Sequence, residues 1–313
     1  MKFQASLSLA ILAAIPRAFA WGTLGHDTVA YIASNFVTAE TATYFQNILG
    51  DTSANYLASV ATWADSYRYT TAGTFSAPYH YIDANDSPPT TCDVVYSRDC
   101  GSTGCVVSAI KNYTSRVQSS SVSAAEKLIA TKFLVHSPVS QCHHGQKYAS
   151  GTDASVCVQF LGDIHQPLHD EELEVGGNGI TVTFNGKSTN LHHIWDTEIP
   201  EKYVGGYALT DAKSWATTLT TAIKTGTYKS SAASWLKGMD ITDAQASALV
   251  WASDANSYVC STVLVDGVSA VEGVDLAGAY YTAALPIVKL QIAKSGYRLA
   301  AWLNLIATGS TGL

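Results

Sequence analysis

The sequence predicts a mainly α fold, a single helical domain with one small β-hairpin, on three observations. Eight stretches repeat apolar residues at three- to four-residue spacing, as helices with one buried face do. Only Thr181-Val-Thr-Phe184 alternates with the two-residue period of a strand, and Asn185-Gly186 behind it is a favoured hairpin turn. No repeat, charged block or linker divides the 313 residues, and with 47% hydrophobic and 14% charged the chain can bury a core. The same composition excludes a disordered chain.

Residues 1–20 stand apart from that domain. Lys2, the apolar run Leu7 to Ile15 and the small-x-small triplet Ala18-Phe19-Ala20 read as a secretory signal cleaved after Ala20, so that the mature chain starts at Trp21-Gly22. The run falls short of the roughly 20 apolar residues that a membrane span needs. Formal charge is −7, from 25 acidic and 18 basic residues, and becomes −9 when Lys2 and Arg17 leave with the signal. A protein that grips nucleic acid through surplus Lys and Arg is thereby excluded. An enzyme that meets phosphate through bound metal is not.

From the mature start, helices are expected over 27–36, 38–49 and 56–67, then over 105–117 and 123–136. The hairpin follows, and the chain closes with helices over 211–225, 242–262 and 278–306. The last carries Lys289, Lys294 and Arg298 along its length, which reads as a packed amphipathic helix, not a span. Secretion makes the six cysteines readable as bridges, although six allow 15 pairings. Cys100 and Cys105 enclose four residues and suit a local staple; Cys92 and Cys260 would tie an early loop to a late helix, leaving Cys142 with Cys157. Asn85-Asp-Ser and Asn112-Tyr-Thr are glycosylation acceptors.

Among nine histidines, several sit in ligand-like places. His192 and Asp196 are four apart, so a helix would turn imidazole and carboxylate to one side. In Asp163-Ile-His165-Gln-Pro167-Leu-His169, Pro167 should break the helix and re-aim His169. Surface ion pairing would explain either arrangement in isolation. Asp65 lies in an apolar helix, where a carboxylate is costly unless paired or bound to metal. His80 and His26, taken singly, fit hydrogen-bonded structural histidines as well as ligands. No His-Glu-x-x-His and no Gly-x-Ser-x-Gly occurs, which weakens zinc-protease and serine-hydrolase readings.

Taken together, Trp21-Gly-x-x-Gly-His26, Ala61-Thr-Trp-Ala-Asp65, His80-Tyr-Ile-Asp83, Gly162-Asp163, Gln166-Pro-Leu-His169 and Asn190-Leu-His192-x-x-Trp-Asp196 resemble the fungal zinc-dependent, single-strand-specific nucleases of the S1/P1 family. The similarity runs from Trp21 to Gly296-Tyr-Arg-Leu-Ala-Ala-Trp302. It implies a mainly α fold shared with bacterial zinc phospholipase C and three zinc ions in a cleft. It implies that Asp65, His80, His136 and Asp163 hold one zinc, and His169, His192 and Asp196 a second. The third would take the Trp21 α-amine and carbonyl, His26 and the shared Asp163, so that only signal cleavage completes the centre. Implied roles are activation of water by paired zincs with Asp65 orienting it, charge stabilisation by Arg68 where relatives often carry Lys, base stacking on Tyr81, and contacts to substrate from Asp83 and Asn178. Implied substrates are single-stranded DNA and RNA, giving 5′-phosphorylated products, and 3′-nucleotides. A secreted monomer without membrane association or obligate partner is the expectation.

One departure interrupts the pattern. The family's Phe-Leu-Val-His-x-x-Gly-Asp places both ligands four apart, whereas Ser137 to Gln159 here separates His136 from Asp163. The 23-residue segment, which includes Pro138, Gly145 and Gly151, does not read as helix. Three readings are open: a loop closed by Cys142 and Cys157, a source of a replacement ligand in His143 or His144, or a translated intron. The last is favoured, because a helix holding two ligands of one metal is a poor place for an insertion; Gln159, four before Asp163, is a poor zinc ligand. Two rival functions follow: a zinc phospholipase C, against which Tyr81 and Asp83 argue, and a secreted zinc-binding protein whose activity the insertion has removed.

Overall fold

The structure, a computed structural model, describes residues 21–135 and 161–313. The predicted signal peptide, His136, the segment 137–159 and its Cys142–Cys157 pair lie outside the described residues. Eleven α-helices and one hairpin order the described chain. The first half holds α1 (Thr23–Ser34), α2 (Ala39–Leu49), α3 (Trp63–Tyr67), α4 (Tyr96–Asp99), α5 (Val106–Gln118) and α6 (Ala124–Val135). The second holds α7 (Leu191–His193), α8 (Ile199–Val204), α9 (Leu209–Lys224), α10 (Ala244–Tyr258) and α11 (Ala279–Thr308). The mainly α expectation is met.

Helix α1 is buried on nearly every side because it lies between α9 and α11. The approach to α11 is close: a Cβ on Gly296 would stand 2.5 Å from Ile32 Cβ, so only glycine fits there. The 30-residue α11 packs Val288, Ile292 and Leu299 into the core, where Trp21, Trp195, Trp251 and Trp302 are also buried. Its charges are paired, not spanning lipid: Lys294 Nζ lies 2.8 Å from Asp254 Oδ1 on α10, and Arg298 Nη1 2.9 Å from Asp254 Oδ2. Among the described residues no helix is long and apolar enough to cross a membrane.

The hairpin forms as the sequence predicts. Strand β1 (Thr181–Phe184) pairs antiparallel with β2 (Lys187–Asn190), with Phe184 opposite Lys187 across the Asn185-Gly186 turn. Both turn residues have positive φ, 51° and 76°, the conformation that selects Asn-Gly. The Asp275 carboxylate accepts both turn N–H groups.

Two helical expectations need correction. The stretch 56–67 is not one helix: a tight turn over Ala58–Val60 precedes α3. Ser59 Oγ bonds Tyr56 O and Asp51 Oδ2, local hydrogen bonds that compete with a regular helix. The helix expected over 242–262 ends as α at Tyr258 and continues as a wider turn, Val259–Val263. That turn carries Cys260 into its bridge with Cys92; the Cys100–Cys105 staple is also present. Asn85 and Asn112 are both exposed.

Candidate metal centre and cleft

Trp21 is fully buried, and its neighbour docks on a ligand-bearing segment. Pro200, at the start of α8, has no N–H to give the Asp196 carbonyl four residues back. Gly22 N donates to that carbonyl instead, at 2.7 Å. This segment also differs from the regular helix expected over 192–196. After α7 the chain widens into a five-residue turn, Ile194–Glu198, in which Ile199 N bonds Ile194 O. His192 and Asp196 still face each other, with Nε2 3.2 Å from Oδ2.

Asp163 sits fully buried between two imidazoles from distant segments. Its Oδ2 is 2.9 Å from His80 Nδ1 and its Oδ1 is 3.4 Å from His26 Nε2. One carboxylate thus presents a different oxygen to each ring, the arrangement a bridging ligand requires. Asp65 belongs to α3, which is described there in backbone only.

Pro167 separates two tight turns, Asp163–His165 and Pro167–Asp170, so His169 leaves on a new course. His169 Nδ1 donates to the His80 carbonyl at 2.7 Å, and His192 Nδ1 donates to Gly176 O at 2.6 Å. A neutral imidazole has one N–H, so each Nε2 is left with its lone pair outward. The two Nε2 atoms lie 3.1 Å apart, beside Asp196. Facing lone pairs next to a carboxylate repel unless a cation lies among them. His169, His192 and Asp196 offer ligand atoms all within 4.8 Å of one another, and nitrogen, nitrogen and oxygen is a donor set zinc accepts. The residues present therefore fit a divalent cation, and each histidine has the outer hydrogen bond typical of a ligand.

Above this floor opens a cleft of about 210 Å³. His80, His169 and His192 reach it from below, and Arg68, Tyr81, Asp83 and Asn178 line it with them. Four expected substrate-side residues therefore share one cavity with three expected ligands. Burial holds His169 down at about 4, helped by neighbouring His192. His192 is depressed by burial too, but the charge and hydrogen bond of Asp196 carry it upward overall. Asp83, partly desolvated and near Glu172 and Asp99, is pushed up to about 6.

Sequence reasoning missed one wall of this cleft. Glu174, Val175, Gly176 and Gly177 all have positive φ, between 52° and 76°. For β-branched Val175 such a backbone is strained. The turn aims the Gly176 carbonyl at His192 and leaves Val175 76% exposed at the cleft, while Asn178 Nδ2 holds the Val175 carbonyl. The Gly176-Gly177 pair was the available signal. Glu171 also lines the cleft, pushed up to about 7 by burial, and nothing in its spacing marked it.

A sequence model of the S1/P1 Nuclease family matches residues 21–138 and 140–308. The chain is 53% identical to Nuclease S1 of Aspergillus oryzae over 302 residues, 96% of this chain and 97% of that one. It is 49% identical to Nuclease P1 of Penicillium citrinum, over 91% of this chain and 97% of the relative. Similarity extends to Endonuclease 4 of Arabidopsis thaliana, at 31% identity over 92% and 90% of the two chains.

Proposed function

This chain belongs to the S1/P1 nuclease family, and from that premise we propose that it is a secreted, zinc-dependent endonuclease with 3′-nucleotidase activity. Its substrates in this reading are single-stranded DNA and RNA, cleaved to 5′-phosphorylated products, and it works as one domain from Trp21 onward. The observation that carries the reading is the union of converging metal donors with Arg68, Tyr81, Asp83 and Asn178 in a single cleft.

Three zinc ions would be held by Trp21, His26, Asp65, His80, His136, Asp163, His169, His192 and Asp196. Bound there, zinc supplies Lewis acidity toward water and phosphate. The chain's own groups do the rest. Asp163 turns one oxygen to His26 and the other to His80, and so would hold two of these ions together with them. Asp65 orients the attacking water, and Arg68 at the cleft draws in the phosphate and stabilises the charge that develops on it. Tyr81 and Val175, the exposed apolar surfaces of the cleft, take a nucleobase, and Asp83 and Asn178 hydrogen-bond substrate at its edges. A stacked base must be unpaired, and every base has a π-face, so such a wall selects strandedness and not sequence.

We read residues 137–159 as absent from the working protein, which returns His136 to four residues before Asp163; sequencing the transcript across codons 136–160 tests this. Secretion and sugar at Asn85 and Asn112 belong to the same reading. The decisive assay is cleavage of single-stranded DNA with and without chelator. Activity lost to chelator and recovered with zinc is expected; cleavage indifferent to chelator overturns the mechanism.

A further inference from the structure

We propose that Gln166 is a positioning residue that sets both the oxygen and the angle with which Asp196 meets its metal. Gln166 is fully buried and bonded at both ends of its amide. Its Oε1 accepts the Leu168 N–H at 2.6 Å, and its Nε2 donates to Asp196 Oδ1 at 2.7 Å. The orientation is forced: a backbone N–H can only donate, so the atom facing Leu168 is the oxygen and the atom facing Asp196 is the nitrogen.

Two consequences follow for the metal-binding triad. A donated hydrogen bond occupies Oδ1 of Asp196 and leaves Oδ2 for the cation, on the side where His192 Nε2 lies at 3.2 Å. His169 Nε2 is 3.8 Å from the occupied Oδ1, so the two histidines address the carboxylate unequally. At its other end the same side chain caps the turn Pro167–Asp170, which carries His169. One glutamine therefore couples two ligand segments 27 residues apart in sequence, His169 and Asp196. No other side chain among the described residues is seen to join these two segments by hydrogen bonds at both ends. The sequence shows Gln166 as the first residue of the Gln166-Pro-Leu-His169 motif and gives it no role.

Gln166→Met and Gln166→Leu separate the two jobs. The methionine thioether can still accept the Leu168 N–H weakly but cannot donate to Asp196, whereas leucine does neither. The measurement is zinc per chain, by atomic absorption, after equilibration of the zinc-loaded protein with chelators of graded strength. Both variants should hold one zinc about 10–100-fold more weakly than the wild type, with the remaining zinc unchanged. Melting of the metal-stripped proteins identifies a variant that has simply lost its fold, and the other variant then decides. The inference rests on the metal reading above: a wild-type chain that binds no zinc overturns both. Wild-type retention of zinc by either folded variant overturns the role of Gln166 alone.

Discussion

The floor and the wall of the cleft are built on opposite terms. On the floor, His26, His80, Asp163, His169, His192 and Asp196 are buried, drawn from five segments, and turned by hydrogen bonds or ion-pair contacts. On the wall, Tyr81 is 36% and Val175 76% exposed, and Arg68, Asp83, Asn178 and Glu171 add polar contacts beside these apolar faces. A group meant to hold a cation has to be fixed to fractions of an ångström and desolvated. A surface meant to accept any unpaired base gains nothing from such fixing. In the proposed reading the floor is fixed to hold cations, and the wall is left exposed for tolerant recognition.

The comparison breaks most completely at Asp163. Asp163→Ala removes the carboxylate that contacts both His26 and His80, so it should release zinc and lower kcat by at least about 10³-fold, beyond the roughly 10²–10³ that loss of a single electrostatic contact produces. Atomic absorption and single-turnover cleavage check the two effects together. A variant that keeps its full metal content would show that Asp163 is not shared. The wall should answer differently. Tyr81→Ala removes one stacking face worth about 1–3 kcal/mol, so KM for single strands should rise about 5- to 150-fold while zinc content stays at the wild-type value. Loss of metal from this variant would erase the distinction between wall and floor.

How far the sequence disclosed each region follows the same division. The floor was legible through the resemblance of its motifs and not residue by residue, since His26 and His80 taken singly fit structural roles as well; Gln166 opens one of those motifs, but its amide acts only once two segments have met. The wall was half legible. Tyr81, Asp83 and Asn178 could be placed by resemblance, but Val175 becomes part of the cleft only through four consecutive left-handed residues, a conformation that composition alone does not reveal. Helices with one buried face, such as α5 and α9, matched their apolar period within two residues. The stretch 56–67 did not, because Ser59 spends its hydroxyl on the backbone and Asp51. The wide turn at 194–198, where Ile199 N bonds Ile194 O five residues back, was equally hidden.

Asp83 sharpens the comparison within the wall, with a smaller effect. Its carboxyl is pushed up to about 6, so the folded protein binds a proton there between its ordinary value near 3.8 and about 6, where the unfolded chain does not. The unfolded state therefore holds fewer protons in that window, and this group's contribution to stability falls as pH rises through it. The same ionisation places a negative charge beside an anionic substrate. KM should rise a few-fold between about pH 5 and 7, and Asp83→Asn should flatten that rise without changing zinc content. A profile unchanged by Asp83→Asn would assign the pH dependence to the floor.

The smallest effect on chemistry should come from the scaffold beneath both regions. Gly296 is where α11 meets α1, and a methyl group there would stand 2.5 Å from Ile32 Cβ and 3.0 Å from Val29 O. Both neighbours belong to a buried helix with no room to retreat, so Gly296→Ala forces the helices apart at a cost of about 1–3 kcal/mol. Helix α1 also carries His26, near its amino-terminal end, while Ile32 lies nearly two turns further on. The strain is therefore applied away from the ligand. Tm should drop by several degrees, with zinc content and KM near wild type and kcat changed less than about twofold. Weakened zinc binding in a folded Gly296→Ala protein would mean that scaffold strain reaches the floor through α1, and that the rigidity of the floor is lent by helix packing instead of by its own hydrogen bonds.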